Sequence, residues 1–135
     1  MPAISITAGN VLHSSQATVF TGTAGTTITQ GQPLYLDTTV TPNVYKLANA
    51  LTNSPVAGIA MVSASNQQDM VVCSRDPNFA GGFTSTIGNV ILVGNVAGQI
   101  QPYEDRASGW YVTTLGTMIS TTRMNFYITG SNAAI

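Results

Sequence analysis

The chain has 135 residues, of which 44% are hydrophobic and only 7% are charged, and its formal net charge is -1. This length suits one domain with its own core, and four scattered basic residues cannot form the cationic footprint that binding to nucleic acid requires. The apolar runs are far shorter than the roughly 20 residues of a membrane-spanning helix, so we predict neither nucleic-acid nor membrane binding.

Residues 1–30 contain no charged side chain and are rich in Thr, Ser, Ala and Gly, so we predict an extended N-terminal arm with short strands at 4–7 and 17–21. The arm is either a flexible tail or a segment ordered by lying on a neighbouring protein, for example by adding a strand to its sheet. The first residues have no basic region and no long apolar stretch, which predicts no signal peptide. The candidate partner-binding residues are the apolar side chains and the histidine of this arm: Ile4, Ile6, Val11, Leu12, His13, Val19 and Phe20.

Residues 31–135 are predicted to form the compact part, an all-β small barrel or sandwich of about eight short strands. Gly and Pro interrupt short runs that are rich in Val, Ile, Thr and Tyr, which is typical of strands joined by turns. The segment 43–51 could instead be helical, and Cys73 is predicted to be a buried, unreactive thiol. The predicted strands are 33–37, 44–47, 56–62, 69–74, 90–93, 109–115, 117–120 and 124–128.

A weak internal repeat is visible in the compact part. The segment that starts at Gly31 resembles the one that starts at Gly88, and the strand around Gly58 resembles the strand around Gly116. A glycine inside a strand favours a bulge or a sharp bend, which is how small barrels turn corners. Two such halves could close into one barrel-like core, although chance similarity between glycine-rich strands is the alternative.

The ionisable residues do not form a pattern typical of catalysis or of a metal site, so we predict a protein without enzymatic activity, cofactor or metal. The single histidine, His13, lies in the arm, sixty residues from the single cysteine, Cys73, and zinc needs three or four such ligands. Glu104 and Asp105 are adjacent and would point to opposite faces of a strand, whereas glycoside cleavage needs two facing acids.

The aromatic side chains of the C-terminal half are the remaining candidates for ligand binding. Trp110 and Tyr111 are adjacent, so one of the two rings could be exposed on a strand. Packing in the core or at a subunit interface is the favoured interpretation, and a flat sugar-binding face is the alternative. The aromatic residues considered are Tyr103, Trp110, Tyr111, Phe126 and Tyr127.

Three motifs follow one another in the compact part: Gly31-Gln32-Pro33-Leu34-Tyr35-Leu36-Asp37, then Tyr45-Lys46-Leu47-Ala48, then Val56-Ala57-Gly58-Ile59-Ala60. Together they resemble the small β-rich capsid decoration (cement) proteins of tailed bacteriophages. The later segments 107–113 and 115–116 fit the same style, so the resemblance covers about residues 17–128. These motifs are strand and glycine signals and carry no catalytic signature.

The resemblance implies a structural virion protein that is assembled in the host bacterial cytoplasm and sits on the outer capsid surface. Its implied partners are the major capsid protein and itself, as a homotrimer over three-fold positions, where it clamps capsid subunits against the pressure of the DNA. A phage head or tail fibre component that binds host-surface glycans is the alternative, and a small hydrolase is a third and weaker one. The behaviour of the arm and the exposure of rings such as Trp110 separate the first two.

Overall fold

The computed structural model describes residues 4–51 and 55–130, and these residues form an almost entirely β structure, as predicted. Two short 3-10 turns, Ala8–Asn10 and Tyr103–Asp105, are the only helical elements in this described part. Residues 1–3 of the predicted arm and residues 131–135 of the predicted compact part lie outside the described residues. The strands are β1 (Val11–Leu12), β2 (Thr18–Thr23), β3 (Pro33–Asp37), β4 (Val44–Leu47), β5 (Val56–Ala60), β6 (Asp69–Gly81), β7 (Val90–Val93), β8 (Ile100–Pro102), β9 (Thr113–Met118) and β10 (Arg123–Gly130).

The 13-residue strand β6 is the spine of one ten-stranded sheet. β1 and β2 follow each other along one of its edges, with Val11 opposite Gly81 and Thr23 opposite Asp69. β5 and β10 pair with β6 as well. β3 and β4 continue the sheet beyond β5, while β9, β7 and β8 continue it beyond β10, so that β6 joins two halves of similar composition.

The sheet is curled into a half-barrel, and its curvature creates the buried volume. In the first half, Ala24 at the end of β2 forms an isolated bridge with Tyr45 of β4, which brings the two outer strands together. The main core contains fully buried rings of Phe79 and Phe126, whose centroids lie 5.1 Å apart. A second cluster fills the curl of the first half, and a third covers the outside of β7 around Trp110. Cys73 is fully buried in the main core, as predicted.

The internal repeat corresponds to two similar arrangements of strands. Leu34 lies opposite Gly58 in the pair of β3 with β5, and Ile91 lies opposite Gly116 in the pair of β7 with β9, with a register shift directly after each. A Cβ atom at either glycine would come within 2.3 Å of a backbone carbonyl oxygen on the next strand. Both strands therefore need glycine at the bulge, because the neighbouring backbone approaches too closely for any side chain.

Most of the predicted strands are observed, and the differences have local causes. The strands predicted at 33–37, 44–47 and 90–93 have the predicted bounds, so 44–47 is a strand and no helix forms there. The strand that was predicted to stop at residue 74 continues to Gly81 through Pro77, where the register of β10 shifts and tolerates the proline.

One difference arose because Gly116 was interpreted as a break between two strands. The predicted strands 109–115 and 117–120 are one strand, β9, which passes through Gly116 and starts at Thr113. The strand predicted at 56–62 ends at Ala60, the one at 17–21 is β2, and the one at 124–128 lies within β10. Residues 4–7 form no strand, while β1 and β8 were not predicted.

The described residues of the predicted arm, 4–30, pack on the sheet of their own chain. β2 pairs with β6 over six residue positions, and Ala24 and Ile28 are fully buried in the second cluster. Val11 is 1% exposed in the main core. Residues 4–30 thus supply strands and core side chains, which is a difference from the extended arm that their composition suggested, because small Thr, Ala and Gly side chains fit tightly in this curled sheet.

Candidate interaction surface

The seven predicted partner-binding residues separate into an inward-facing and an outward-facing group. Val11 is buried, and Ile4 and Ile6 are partly buried against the main core. Phe20 packs on the second cluster, with its ring centroid 6.0 Å from that of Tyr45. These four side chains contribute to the packing of their own chain, and Val11 could reach a partner only if the core opened.

Leu12, His13 and Val19 face outwards. Leu12 is 56% exposed and Val19 is 41% exposed. The His13 ring is exposed, and its Nδ1 lies 2.9 Å from the carbonyl oxygen of Ser14. The structure therefore leaves these three residues accessible to a partner, with Leu12 in β1, Val19 in β2 and His13 in the connection between the two strands.

The loop between β1 and β2 is fixed by a buried carboxylate, Asp76. The backbone N–H of Ser14 donates to Asp76 Oδ2 at 2.6 Å, and the Ser14 hydroxyl donates to Asp76 Oδ1. Asn78 N–H donates to Oδ1 as well. Burial raises the pKa of Asp76, but these hydrogen bonds together outweigh burial and lower it below its usual value, with a small contribution from His13. The carboxylate thus stays ionised and positions the start of β2.

The direction of the hydrogen bonds at the end of β2 defines which backbone groups of this strand remain free. Ala24 N–H donates to the carbonyl oxygen of Gln68, on the side of β6. Gly25 N–H donates to the carbonyl oxygen of Tyr45, on the opposite side. Since this direction alternates along an extended strand, the even-numbered residues of β2 bond towards β6 and the odd-numbered residues point away from it.

The odd-numbered residues Val19 and Thr21 therefore form an open strand edge. β2 pairs with β6 alone over Thr18–Thr23 among the described residues, apart from the bridge that follows at Ala24. Both side chains are exposed as well. An open edge presents unpaired N–H and C=O groups, and another chain can add a strand to it.

An exposed row of side chains crosses three strands beside this edge, and it starts at Thr18, whose side chain points to the opposite face of β2 from that of Val19. Arg75 of β6 lies opposite Thr18 on one side and opposite Tyr127 of β10 on the other. The Arg75 guanidinium carbon lies 4.9 Å from the centroid of the Tyr127 ring, and Tyr127 is 54% exposed. Tyr and Arg are enriched in protein interfaces. We define Thr18, Val19, Thr21, Arg75 and Tyr127 as the β2-edge surface.

A second group of exposed apolar residues lies at the other half of the sheet. Ile87 is 64% exposed and Ile119 is 49% exposed. Gly88 N–H donates to the carbonyl oxygen of Met118, so the turn that carries Ile87 lies beside the end of β9, which Ile119 follows directly. This pair offers apolar area but no open strand edge, because β9 lies between β7 and β10.

The aromatic residues that could have formed a sugar-binding face are arranged differently. Trp110 is only 5% exposed and packs in the third cluster with Ala50 and Leu92. Tyr103 is 40% exposed, and its ring is covered by the Arg106 guanidinium, whose carbon lies 4.0 Å from the ring centroid. Trp110 is therefore part of the packing and is not presented in a groove.

Two further titratable side chains, Asp37 and Cys73, have clearly shifted pKa values. Lys46 Nζ lies 2.8 Å from Asp37 Oδ2 and joins the paired strands β3 and β4. The Lys46 ammonium, together with hydrogen bonds from Thr39, lowers the pKa of Asp37 to about 2. Burial raises the pKa of the Cys73 thiol to about 11, so the thiol is protonated at neutral pH.

Within residues 4–51 and 55–130, His, Cys, Asp and Glu side chains do not gather in any group of three that could hold a metal ion. In the same part of the chain, no helix has the length and apolar character needed to cross a membrane.

No protein-family model, no curated protein and no solved structure matches the chain.

The sequence interpretation named Val19 as a partner-binding residue and Tyr127 as an aromatic candidate, but it missed Thr18, Thr21 and Arg75 of the β2-edge surface. Thr21 is an ordinary strand residue whose importance comes from the direction of its backbone groups. Arg75 and Tyr127 lie 52 positions apart and meet only because β10 pairs with β6. The period-2 alternation in β2 could have suggested Thr21, whereas no local sequence pattern indicates that Arg75 and Tyr127 are neighbours.

Proposed function

We propose that this chain is a structural virion protein that binds the outer surface of a phage capsid and stabilises it, as a decoration or cement protein. The observation that carries the proposal is the open edge of β2 at Val19 and Thr21, beside the exposed Arg75 and Tyr127. The choice of a phage capsid is supported by the motifs at 31–37, 45–48 and 56–60, which resemble those of decoration proteins.

The composition of the surface also supports a protein that works while docked. Eleven large hydrophobic side chains are exposed among the described residues, whereas the whole chain has nine charged residues. Solubility normally depends on charge, so a surface with so few charged residues is better suited to a protein that stays docked in an assembly.

Attachment by strand addition would give main-chain hydrogen bonds to the capsid protein, while Val19 and Tyr127 would add apolar burial. A homotrimer with cyclic symmetry would repeat the same contact three times at a three-fold position. Because the attachments are linked, each single contact can be modest and the trimer still binds firmly.

A pair of threonine substitutions tests this proposal. Thr21→Lys places a charge beside the open edge, which is a common means of preventing strand addition. Thr117→Lys is the matched control, since Thr117 is also an exposed strand threonine but lies in β9 between two paired strands. Wild type and both variants are added to undecorated phage capsids, and occupancy is measured together with the temperature at which the shells open.

We expect wild type and Thr117→Lys to saturate the shells and raise their opening temperature, while Thr21→Lys binds at least tenfold more weakly. Equal binding of all three proteins would show that the contact with the capsid does not involve the open edge of β2. If Ile87→Lys then loses binding to the shells, the contact lies at the second apolar group. Failure of the wild type to bind any shell, with binding to host-surface glycans in an array, would support the fibre alternative and end the capsid proposal.

A further inference from the structure

The N-terminal segment, residues 4–7, lies between two parts of the second half of the sheet whose counterparts in the first half are hydrogen-bonded to each other directly. In the first half, Gly25 N–H donates directly to the carbonyl oxygen of Tyr45. Ile100 is at the position equivalent to Tyr45, since Leu36 pairs with Tyr45 as Val93 pairs with Ile100. Gly82 is at the position equivalent to Gly25, since it precedes Gly88 by the same distance along the chain as Gly25 precedes Gly31.

In the second half the N-terminal segment lies between Gly82 and Ile100. Ile4 N–H donates to the carbonyl oxygen of Ile100 at 3.0 Å, and Thr7 N–H donates to the carbonyl oxygen of Gly82 at 2.7 Å. The segment therefore fills a slot between the end of β6 and β8, and it bonds to one carbonyl on each side. We use the word slot for this space, bounded by Gly31, Gly82 and Ile100.

Two glycines shape the slot around Ile6. Gly31 and Gly82 have φ angles of 98° and 80°, which a residue with a side chain adopts only with strain. A Cβ atom on Gly31 would lie 2.7 Å from Ile6 Cγ2, and one on Gly82 would lie 3.3 Å from the same atom. Val11 Cγ2 lies within 2.9 Å of both positions, so Ile6 and Val11 share the space that the glycines leave.

The connection from the segment to β1 is a short surface turn. Ala8–Asn10 contains no buried residue, and a Cβ atom added to Gly9 would contact nothing within 4 Å. Two backbone hydrogen bonds close this turn, from Asn10 N–H to the carbonyl oxygen of Thr7 and from Val11 N–H to that of Ala8. The segment is thus held by its slot and by a turn that makes few contacts of its own.

We propose that the slot also accepts residues 4–7 of a second copy of this chain, so that the N-terminal segment is an exchangeable strand between protomers. An exchanged segment would make the same two backbone hydrogen bonds and place the same Ile6 side chain between the same glycines. Only the turn at Ala8–Asn10 changes conformation, and such exchange is a low-cost route to oligomers. The inference concerns self-association and does not rest on capsid attachment.

Deletion of residues 8–10 tests the exchange in the otherwise unchanged chain. Val11 stays paired with Gly81, and without the turn Thr7 cannot return to Gly82 of its own chain. Shortened hinges of this kind drive exchange between copies. The matched control carries the same deletion together with Ile6→Asp, which puts a charge where the slot holds a methyl group. Molar mass is measured by light scattering over a hundredfold range of protein concentration.

We expect the deletion variant to have at least twice the molar mass of the wild type at high concentration, and the added Ile6→Asp change to restore the wild-type mass. A deletion variant that keeps the wild-type mass would overturn the proposal, as would a larger mass that persists with Ile6→Asp.

If the deletion variant does not fold, isotope-filtered NMR decides. Labelled and unlabelled wild-type chains are refolded together at millimolar concentration. Contacts between Ile6 of one copy and Val11 of another then support exchange, and contacts within single copies alone refute it.

Discussion

The two strand glycines provide a direct test of the shared architecture of the two halves. In Gly58→Ala the new Cβ atom would lie 2.3 Å from the carbonyl oxygen of Cys73, and in Gly116→Ala it would lie 2.3 Å from that of Asn125. An ordinary contact needs at least 3.4 Å, so β5 must move away from β6, and β9 from β10, by about 1 Å. The atoms met are backbone atoms of paired strands, which cannot rotate aside.

The expected cost follows from these displacements. Overpacking of a well-packed site costs about 1–3 kcal/mol, and each ladder hydrogen bond weakened by the movement adds about 1 kcal/mol. We expect both variants to lose about 3 kcal/mol of unfolding free energy. At a urea dependence of about 2 kcal/mol per molar, the midpoint of urea unfolding falls by about 1.5 M.

Urea unfolding followed by circular dichroism measures this loss, with Gly9→Ala as the control. Gly9 has no atom within 4 Å of an added Cβ, so its substitution is expected to change stability by less than about 0.5 kcal/mol. If Gly58→Ala and Gly116→Ala are as stable as Gly9→Ala, the neighbouring strands do not approach the two glycines as closely as described. If only one of them is destabilised, the two halves do not share the bulge.

Three further predictions follow from individual side chains. Since Lys46 lowers the pKa of Asp37 to about 2, the Asp37 carboxylate contributes fully to stability above the usual pKa of 3.8, and this contribution is lost as the pH falls towards 2. Asp37→Asn should therefore flatten the acid-unfolding curve between pH 4 and 2. An unchanged curve would contradict the ion pair. Cys73, with a pKa raised to about 11, should react with a thiol reagent at pH 8 only in denaturant, and rapid reaction of the native protein would show that the thiol is accessible. Ser14→Ala removes the hydroxyl that donates to Asp76 and should cost about 2 kcal/mol in thermal or urea unfolding, whereas a neutral effect would mean that the backbone donors suffice.

The sequence was most informative where strand and turn signals are local. The strand 33–37 begins after Gly31, whose positive φ allows the turn that precedes it, and the same applies to the strand 90–93 after Gly88. The glycine-aligned repeat followed from the same signals. Strands that pass through Pro77 or Gly116 were misjudged because pairing with neighbouring strands overrides the local tendency of these residues to break a strand.

The candidate surface was less accessible to sequence reasoning because it depends on long-range pairing. A segment without charges or large apolar groups was interpreted as an arm, yet its small residues fit where Tyr45 lies against Gly22 and where Val44 lies against Gly25. The inward or outward direction of Ile6 and Val19 is fixed by partners more than 50 residues away, such as Gly82 and Cys73. Such partners leave no signal in the local pattern.

The most direct test of the proposed function is an electron cryomicroscopy reconstruction of undecorated phage capsids incubated with the purified protein. The account predicts additional density on the outer surface at three-fold positions, with Val19 and Thr21 of β2 against a strand of the capsid protein. Shells without additional density at saturating protein, or density in which the β2 edge faces solvent, would contradict it.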